Sequence, residues 1–277
     1  GSSLKDSHSF IQVIDGTRNR SGYFRFPFPD FKYSEDRLDL KIGDNSFSEN
    51  GLAISLKNKD MSYSGALNFF DSEPFPKSFL NPGIMGPFSF LSFMQCYHGV
   101  VHLQHRLAGS LEIDGQTQDF TGGTGYIEKD WGTSFPDAWV WVQCNHFTRP
   151  DVSFMLSFAH IPFPVKSFTG LISFLSVSGR LYRLSTYQGA RVARMDYQNN
   201  MLSMMVESRH HVLSLTVAVE PGSRLKAPEK GNMITNIAES MTSGLDLYFI
   251  EKNGKSVFTG KGKAVGVEIS GDLAKLC

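Results

Sequence analysis

Cysteine is scarce in this chain of 277 residues, with three, at positions 96, 144 and 277. An odd, sparse set gives no disulfide framework, which favours a reducing compartment and makes a cytoplasmic location the expectation. Neither a CxxC nor an HExxH spacing occurs, so no metal set is expected and no cofactor is implied. A charge excess is missing too: Lys plus Arg and Asp plus Glu number 27 each. No net field therefore draws the protein toward nucleic acid or anionic lipid. Basic clusters interleaved with aromatics are absent, which sets nucleic-acid binding aside. No apolar run approaches the roughly 18 residues of a membrane span, and no charged-then-apolar segment marks a secretory signal. Gly1, Ser2 and Ser3 read either as a cloning scar or as the start of a chain that begins partway into its first domain.

What the chain does have is phenylalanine, 23 of them, with 12 prolines and 26 glycines. That mixture favours β-structure with many turns over helical bundles. The length is enough for two hydrophobic cores. Short alternating runs follow one another: Phe10 to Val13, Leu38 to Ile42, Leu52 to Leu56 and Met61 to Leu67, with Asp15-Gly16 and the polar 57–60 segment as turns. Pro27 and Pro29 interrupt an aromatic run and mark a sheet edge or exit. The spacing predicts consecutive antiparallel strands of a barrel or sandwich.

Residues 71–93 break the rhythm. Four prolines (Pro74, Pro76, Pro82, Pro87) among Phe, Leu, Ile and Met make an apolar loop. Such a loop suits a lid over an opening or a plug between domains, and equally a segment tucked into its own core. Residues 109–128 and 245–268 look alike: a strand, an Asx-Gly turn, a strand with Phe-Thr-Gly, then a glycine-rich passage to a glutamate. Phe120 and Phe258 lie about half a chain length apart, which argues for two related β-domains in tandem. Strand-like runs fill the second half, and only residues 231–241 pass for a helix, a reading that Gly231, Thr235 and Asn236 weaken.

The chemistry concentrates in residues 125–147, GYIEKDWGTSFPDAWVWVQCNHF. All three tryptophans (Trp131, Trp139, Trp141) lie there, with Glu128, Lys129 and Asp130 and the side chains of Gln143, Asn145 and His146. From Ala138 the run reads as one strand, with Trp139, Trp141, Gln143, Asn145 and Phe147 on one face and the small residues on the other. The small face suits a packed layer. The ring-and-amide face suits a cavity holding something greasy with a polar end.

This run, EKDWG at 128–132 with WVWVQCN at 139–145, resembles the signature of the tocopherol cyclase family. The likeness extends to NPGIMGPF at 81–88, MQCYHGV at 94–100, FTGKG at 258–262 and GVE at 266–268, and it is closest to the bacterial-type branch. In the plant pattern, Asn stands at the position of Asp130 and an apolar residue at that of His146. The resemblance implies a mainly β protein of two tandem lipocalin-like (calycin) antiparallel β-barrel or sandwich domains, with little helix and further strands upstream of Ser9. We expect the halves at 1–148 and 149–277. It further implies cofactor-independent, acid-catalysed ring closure on a prenylated quinol, in which an alkene is protonated and the phenol oxygen attacks the cation. Such an intramolecular lyase, or isomerase, needs a positioned acid, an acceptor for the phenol proton and a dry cavity with π faces.

Glu128 and Asp130 are the carboxylic acids on offer, on one side of a continuing strand, where mutual repulsion would keep one protonated. The same triplet also fits an ion-pair latch between the halves. His98 has the intrinsic pKa to relay a proton, and Tyr97 can donate to a quinol oxygen. His102 shares parity with His98, whereas His105 does so only across a bulge. Trp131, Trp139, Trp141, Gln143, Asn145 and Phe135 are expected to line the ligand site, although the tryptophans also suit a plain core. The polar patch of Arg209, His210 and His211 is expected to face solvent. The partner is a hydrophobic small molecule, and nothing fixes the oligomeric state. Besides the cyclase, the pattern allows a non-catalytic binder of a hydrophobic ligand or a hydratase acting on an isoprenoid alkene.

Overall fold

Alternation of apolar and polar residues sets the architecture, because period two gives each strand one face to bury. The computed structural model describes residues 7–79, 81–162, 166–229 and 232–276. Gly1, Ser2, Ser3, Gly231 and Cys277 lie outside them.

The chain opens on a hairpin of β1 (His8–Asp15) and β2 (Arg20–Pro27). A first antiparallel sheet follows: β3 (Phe31–Tyr33), β4 (Asp39–Ile42), β5 (Asn45–Ser48), β6 (Gly51–Lys57), β7 (Ser62–Pro74), β8 (Cys96–Ile113), β9 (Gln116–Asp119) and β10 (Thr124–Gly132). Neighbours in sequence pair as a meander from β3 to β8, and β9 and β10 both pair with β8. The second sheet holds β11 (Ala138–Cys144), β12 (Val152–Ile161), β13 (Phe168–Val177), β14 (Arg180–Ser185), β15 (Arg191–Gln198), β16 (Met201–Glu207), β17 (His211–Ala218), β18 (Ser223–Glu229), β19 (Asn232–Glu251) and β20 (Ser256–Gly271). Its order is β14-β13-β12-β11-β20-β19-β17-β16-β15, with β18 also on β19. The protein is mainly β, two successive curled antiparallel sheets of lipocalin-like kind, and among the described residues the helical segments are short 3-10 turns. The second sheet begins with β11, ahead of residue 148.

Each sheet has its own core. Ile11, Phe24, Leu56, Tyr63, Leu67 and Leu111 are buried together in the first, which the opening hairpin completes. The larger second core gathers Val140, Phe154, Leu175, Leu202, Leu215 and Phe249 among others. Each such side chain contributes about 1.5–3 kcal/mol on burial. A third cluster joins the halves, with Val100 and Leu103 of β8, Met155 and Phe174 of the second sheet, and Phe75, Ile84, Met85 and Met94 from the β7–β8 connection. The apolar loop is therefore a plug between the sheets. It starts later than expected because β7 runs on to Pro74 through register shifts after Phe70 and a left-handed Asp71 (φ 50°).

Residues 232–241 are not helical: they form the first half of β19. Ile237 is buried while Asn236 and Ala238 are exposed, and pairing with β18 on one side and β20 on the other makes the strand the better state there. Helix propensity is a weak prior against such tertiary pairing. The long strands β8 and β19 hold equivalent places. Each ends in a hairpin turn containing Gly, at Gly115 and Gly254, and each is followed by the Phe-Thr-Gly passage leading to Glu128 on β10 or Glu268 on β20.

Candidate functional site

β11 is buried on both faces, which its sequence makes possible. Val140, Val142 and Cys144 enter the second core, while Trp139 and Trp141 face a cavity of about 140 Å³. The antiparallel register builds the floor in rows. Glu268, Trp141, Ser157 and Ile172 stand side by side across β20, β11, β12 and β13. Trp139, Ala159 and Gly170 form the next row, and all seven line the cavity. Phe135 meets Trp139 edge to face at 5.6 Å. Met85, Phe88 and Met94 of the plug close one side.

The first sheet supplies the charged wall. His98 on β8 lies directly opposite Asp130 on β10, and Glu128 is two residues along the same face. His98 Nδ1 is 2.7 Å from Asp130 Oδ1, and Nε2 is 3.3 Å from Glu128 Oε2. Only the Nδ1 contact is a hydrogen bond, and Nε2 approaches Glu128 without hydrogen-bond geometry; two carboxylates beside one ring favour its imidazolium form. Burial opposes that charge, but Glu128 and Asp130 outweigh it and hold the His98 pKa up at about 10. Glu128 Oε2 also accepts from the Tyr126 hydroxyl at 2.7 Å and from Trp141 Nε1 at 3.3 Å. The ligand atoms of His98, Glu128 and Asp130 lie within 4.8 Å of one another. A divalent ion could bridge them once His98 gives up its proton.

A second carboxyl faces this wall from the floor. Glu268 Oε2 accepts from Trp139 Nε1 at 2.7 Å. Burial pushes its pKa up to about 7; the Trp139 hydrogen bond and His98 act against that rise, and the charges of Glu128 and Asp130 add to it. Beside it Glu239, paired across β19 and β20, rises to about 8 through burial and the Glu268 and Glu128 charges. Cys96 lines the cavity as well, but burial and Asp130 push its thiol up to about 12, so it is no nucleophile near neutrality.

Of the residues singled out in the sequence, Glu128, Asp130, His98, Tyr97, Trp139, Trp141 and Phe135 come together around the cavity. Tyr97 does so with its hydroxyl engaged, donating to Leu91 O and accepting from Met94 N at 3.3 Å. That bond anchors the plug rather than a ligand. Trp131 is 46% exposed and does not line the cavity. It shares the outer face with Lys129, which lies over its ring at 5.0 Å, and stacks on Tyr97 at 5.3 Å. Gln143 and Asn145 are buried farther along β11. Asn145 Nδ2 donates to Gly125 O at 2.9 Å, tying β11 to β10, and Gln143 Nε2 has no partner among the described residues.

His102 and His98 do not share a site. Register shifts between β8 and β10 lie on either side of Ile127. They bring His105 beside His102 instead, with Nδ1 atoms 3.4 Å apart. Glu268 escaped notice as a site residue although its place in the 266–268 block and in the repeat matches that of Glu128. Glu239 gave no signal, because its segment passed for a helix.

The sequence pattern described as tocopherol cyclase-like matches residues 81–271. A rice protein (Oryza sativa subsp. japonica), "Probable tocopherol cyclase, chloroplastic", is 26% identical over 186 residues, covering 63% of this chain and 38% of that protein. A Zea mays chloroplastic tocopherol cyclase is 46% identical over 39 residues, 14% of this chain and 8% of the maize protein. The chain thus spans well under half the length of these relatives. Among solved structures, kievitone hydratase from Nectria haematococca superposes with a TM-score of 0.53 at 12% identity, covering 95% of this chain and 81% of that one. A protein from Nitrosomonas europaea assigned as an AttH gives 0.51 at 13%, with 93% and 78% covered. At such identities the likeness shows the fold alone. The match over residues 81–271 takes in both walls of the cavity, and the chain belongs to the tocopherol cyclase-like family.

Proposed function

We propose that the cavity catalyses acid-driven ring closure on a prenylated quinol or related isoprenoid, with Glu268 as the acid. The observation that carries this reading is a carboxyl on the apolar cavity floor, hydrogen-bonded to Trp139, whose pKa of about 7 keeps about half of it protonated at neutrality. A general acid works best when its pKa lies near the working pH. Glu128 and Asp130 instead flank the His98 cation, which suits them to receiving a proton.

The chemistry balances without a co-reactant. The Glu268 O–H bond breaks as its proton joins the nearer alkene carbon, and the π pair becomes the new C–H bond. Trp139 and Trp141 present π faces to the tertiary cation. A phenol oxygen lone pair forms the C–O bond, and the phenol proton passes to the Glu128 carboxylate. Exchange with water then resets both carboxyls. A cavity of about 140 Å³ matches one aromatic ring, since an apolar cavity of about 150 Å³ holds benzene. In this reading the ring sits inside, with the prenyl chain extending beyond the cavity. The names of the rice and maize relatives support the same substrate class.

Incubation of the purified protein with a panel of prenylquinols, followed by mass spectrometry, tests the reading. An isomer of unchanged mass is the expected product. Gain of one water would identify a hydratase instead, and no product alongside a tightly held apolar ligand would identify a binder.

A further inference from the structure

Glu239 has no part in the scheme above, yet it occupies a demanding place. It stands directly opposite Glu268 across β19 and β20, on the same face. Directly opposed residues in an antiparallel pair have Cβ atoms about 4.5–5.5 Å apart. Two carboxyls at that separation in a poorly hydrated site do not both ionise readily, and they titrate as a pair. The far flank of Glu239 is Ser223 of β18, buried and neutral. Glu239 feels the charges of Glu268 and Glu128, while Glu268 feels those of Glu128, Asp130 and the His98 cation on the cavity side. An unmatched pair of half-buried acids on adjacent strands is an expensive arrangement, and one of the two is the cavity acid.

We propose that Glu239 is a positioning residue for the cavity acid, sharing a proton with Glu268 so that the Glu268 carboxyl stays protonated and able to donate at neutral pH. Glu239 does not line the cavity and acts only through its partner. This inference rests on Glu268 being the acid, and its failure is separable from failure of that assignment.

The pH profile of turnover in Glu239→Gln carries the test, beside Glu268→Gln and Glu239→Asp. Removing one acid of the pair lowers the affinity of the other for its proton. The alkaline limb of kcat in Glu239→Gln should move down by about one pH unit, a loss of about tenfold per unit above the limb. Turnover well below the limb should stay at the wild-type level, and Glu239→Asp should restore the limb. Independently of any substrate, infrared titration of the protonated carboxyl band should show a group that persists toward neutrality in the wild type. That band should titrate at lower pH in both Glu268→Gln and Glu239→Gln, because each variant leaves a single acid without its partner.

Uniform loss of activity at every pH in Glu239→Gln, with limb and band unmoved, overturns the proposal even where Glu268→Gln is inactive. Full activity in Glu268→Gln overturns the acid assignment instead, and the infrared titration of Glu239→Gln then decides the pairing alone.

Discussion

Gly266 marks how closely the cavity floor is fitted. A Cβ there would lie 2.8 Å from Trp141 Cζ3 and 2.9 Å from Cη2, far inside contact distance. The indole borders the cavity and can yield into it. Gly266→Ala should therefore cost about 1–3 kcal/mol of stability and weaken binding of a prenylquinol, read by denaturant unfolding and by quenching of tryptophan fluorescence. Unchanged affinity would show that Trp141 does not border the ligand. Glu128, Asp130 and His98, which come together at the cavity wall, were singled out from residue type, parity and the likeness to the family's motifs. Glu268 was not, because a glutamate among glycines and valines carries no local sign of the tryptophan it will meet 129 residues away in sequence.

At the scale of elements, β8 decides what the site contains. Without its register shifts near Ile127, His102 would lie on the face of His98. With them His102 and His105 are buried together at 4% and 2% exposure, and His105 packs against Phe69 at 4.2 Å. Burial pushes the pKa of His105 down to about 4, helped by His102, and burial lowers His102 too. The folded protein thus binds fewer protons than the unfolded chain between about pH 6.5 and pH 4. Stability supplied by the neutral pair is full above that window and lost as pH falls through it. The decline should amount to about 3 kcal/mol and become shallower in His105→Phe, measured by urea unfolding across the window. An equal slope in the variant would contradict the account. Strand existence was readable from alternation, whereas bulges were not, since an extra residue in a ladder is set by pairing partners rather than by local pattern. The same holds for β19, whose helical look came from local composition and whose strand state comes from β18 and β20.

For the whole molecule, the two sheets are joined rather than tethered. Phe174 and Met155 of the second sheet are wholly buried beside Val100 and Leu103 of the first. Ser153 Oγ donates to Leu103 O at 2.6 Å, and Ser176 Oγ to Glu73 Oε1 at 2.7 Å. The opening hairpin adds a clamp through Gln12, which exchanges hydrogen bonds with the Lys226 backbone. Phe174→Ala should cost about 3–5 kcal/mol and still leave one cooperative unfolding transition by fluorescence and circular dichroism. Two separate transitions would mean that the halves fold independently. The 109–128 and 245–268 likeness predicted two β-domains in tandem, and the two segments hold equivalent places beside β8 and β19. How the two sheets close on one cavity was not legible, because that depends on the apolar plug at 75–95 reaching both sheets.

The central claim is that a protonated Glu268 faces an isoprenoid alkene across a dry floor. Single-turnover kinetics of Glu268→Gln against wild type, with prenylquinol affinity measured in parallel, test it most directly. The account predicts a loss of about 100- to 10,000-fold in the chemical step, with affinity nearly unchanged. Turnover by Glu268→Gln within tenfold of wild type would contradict it.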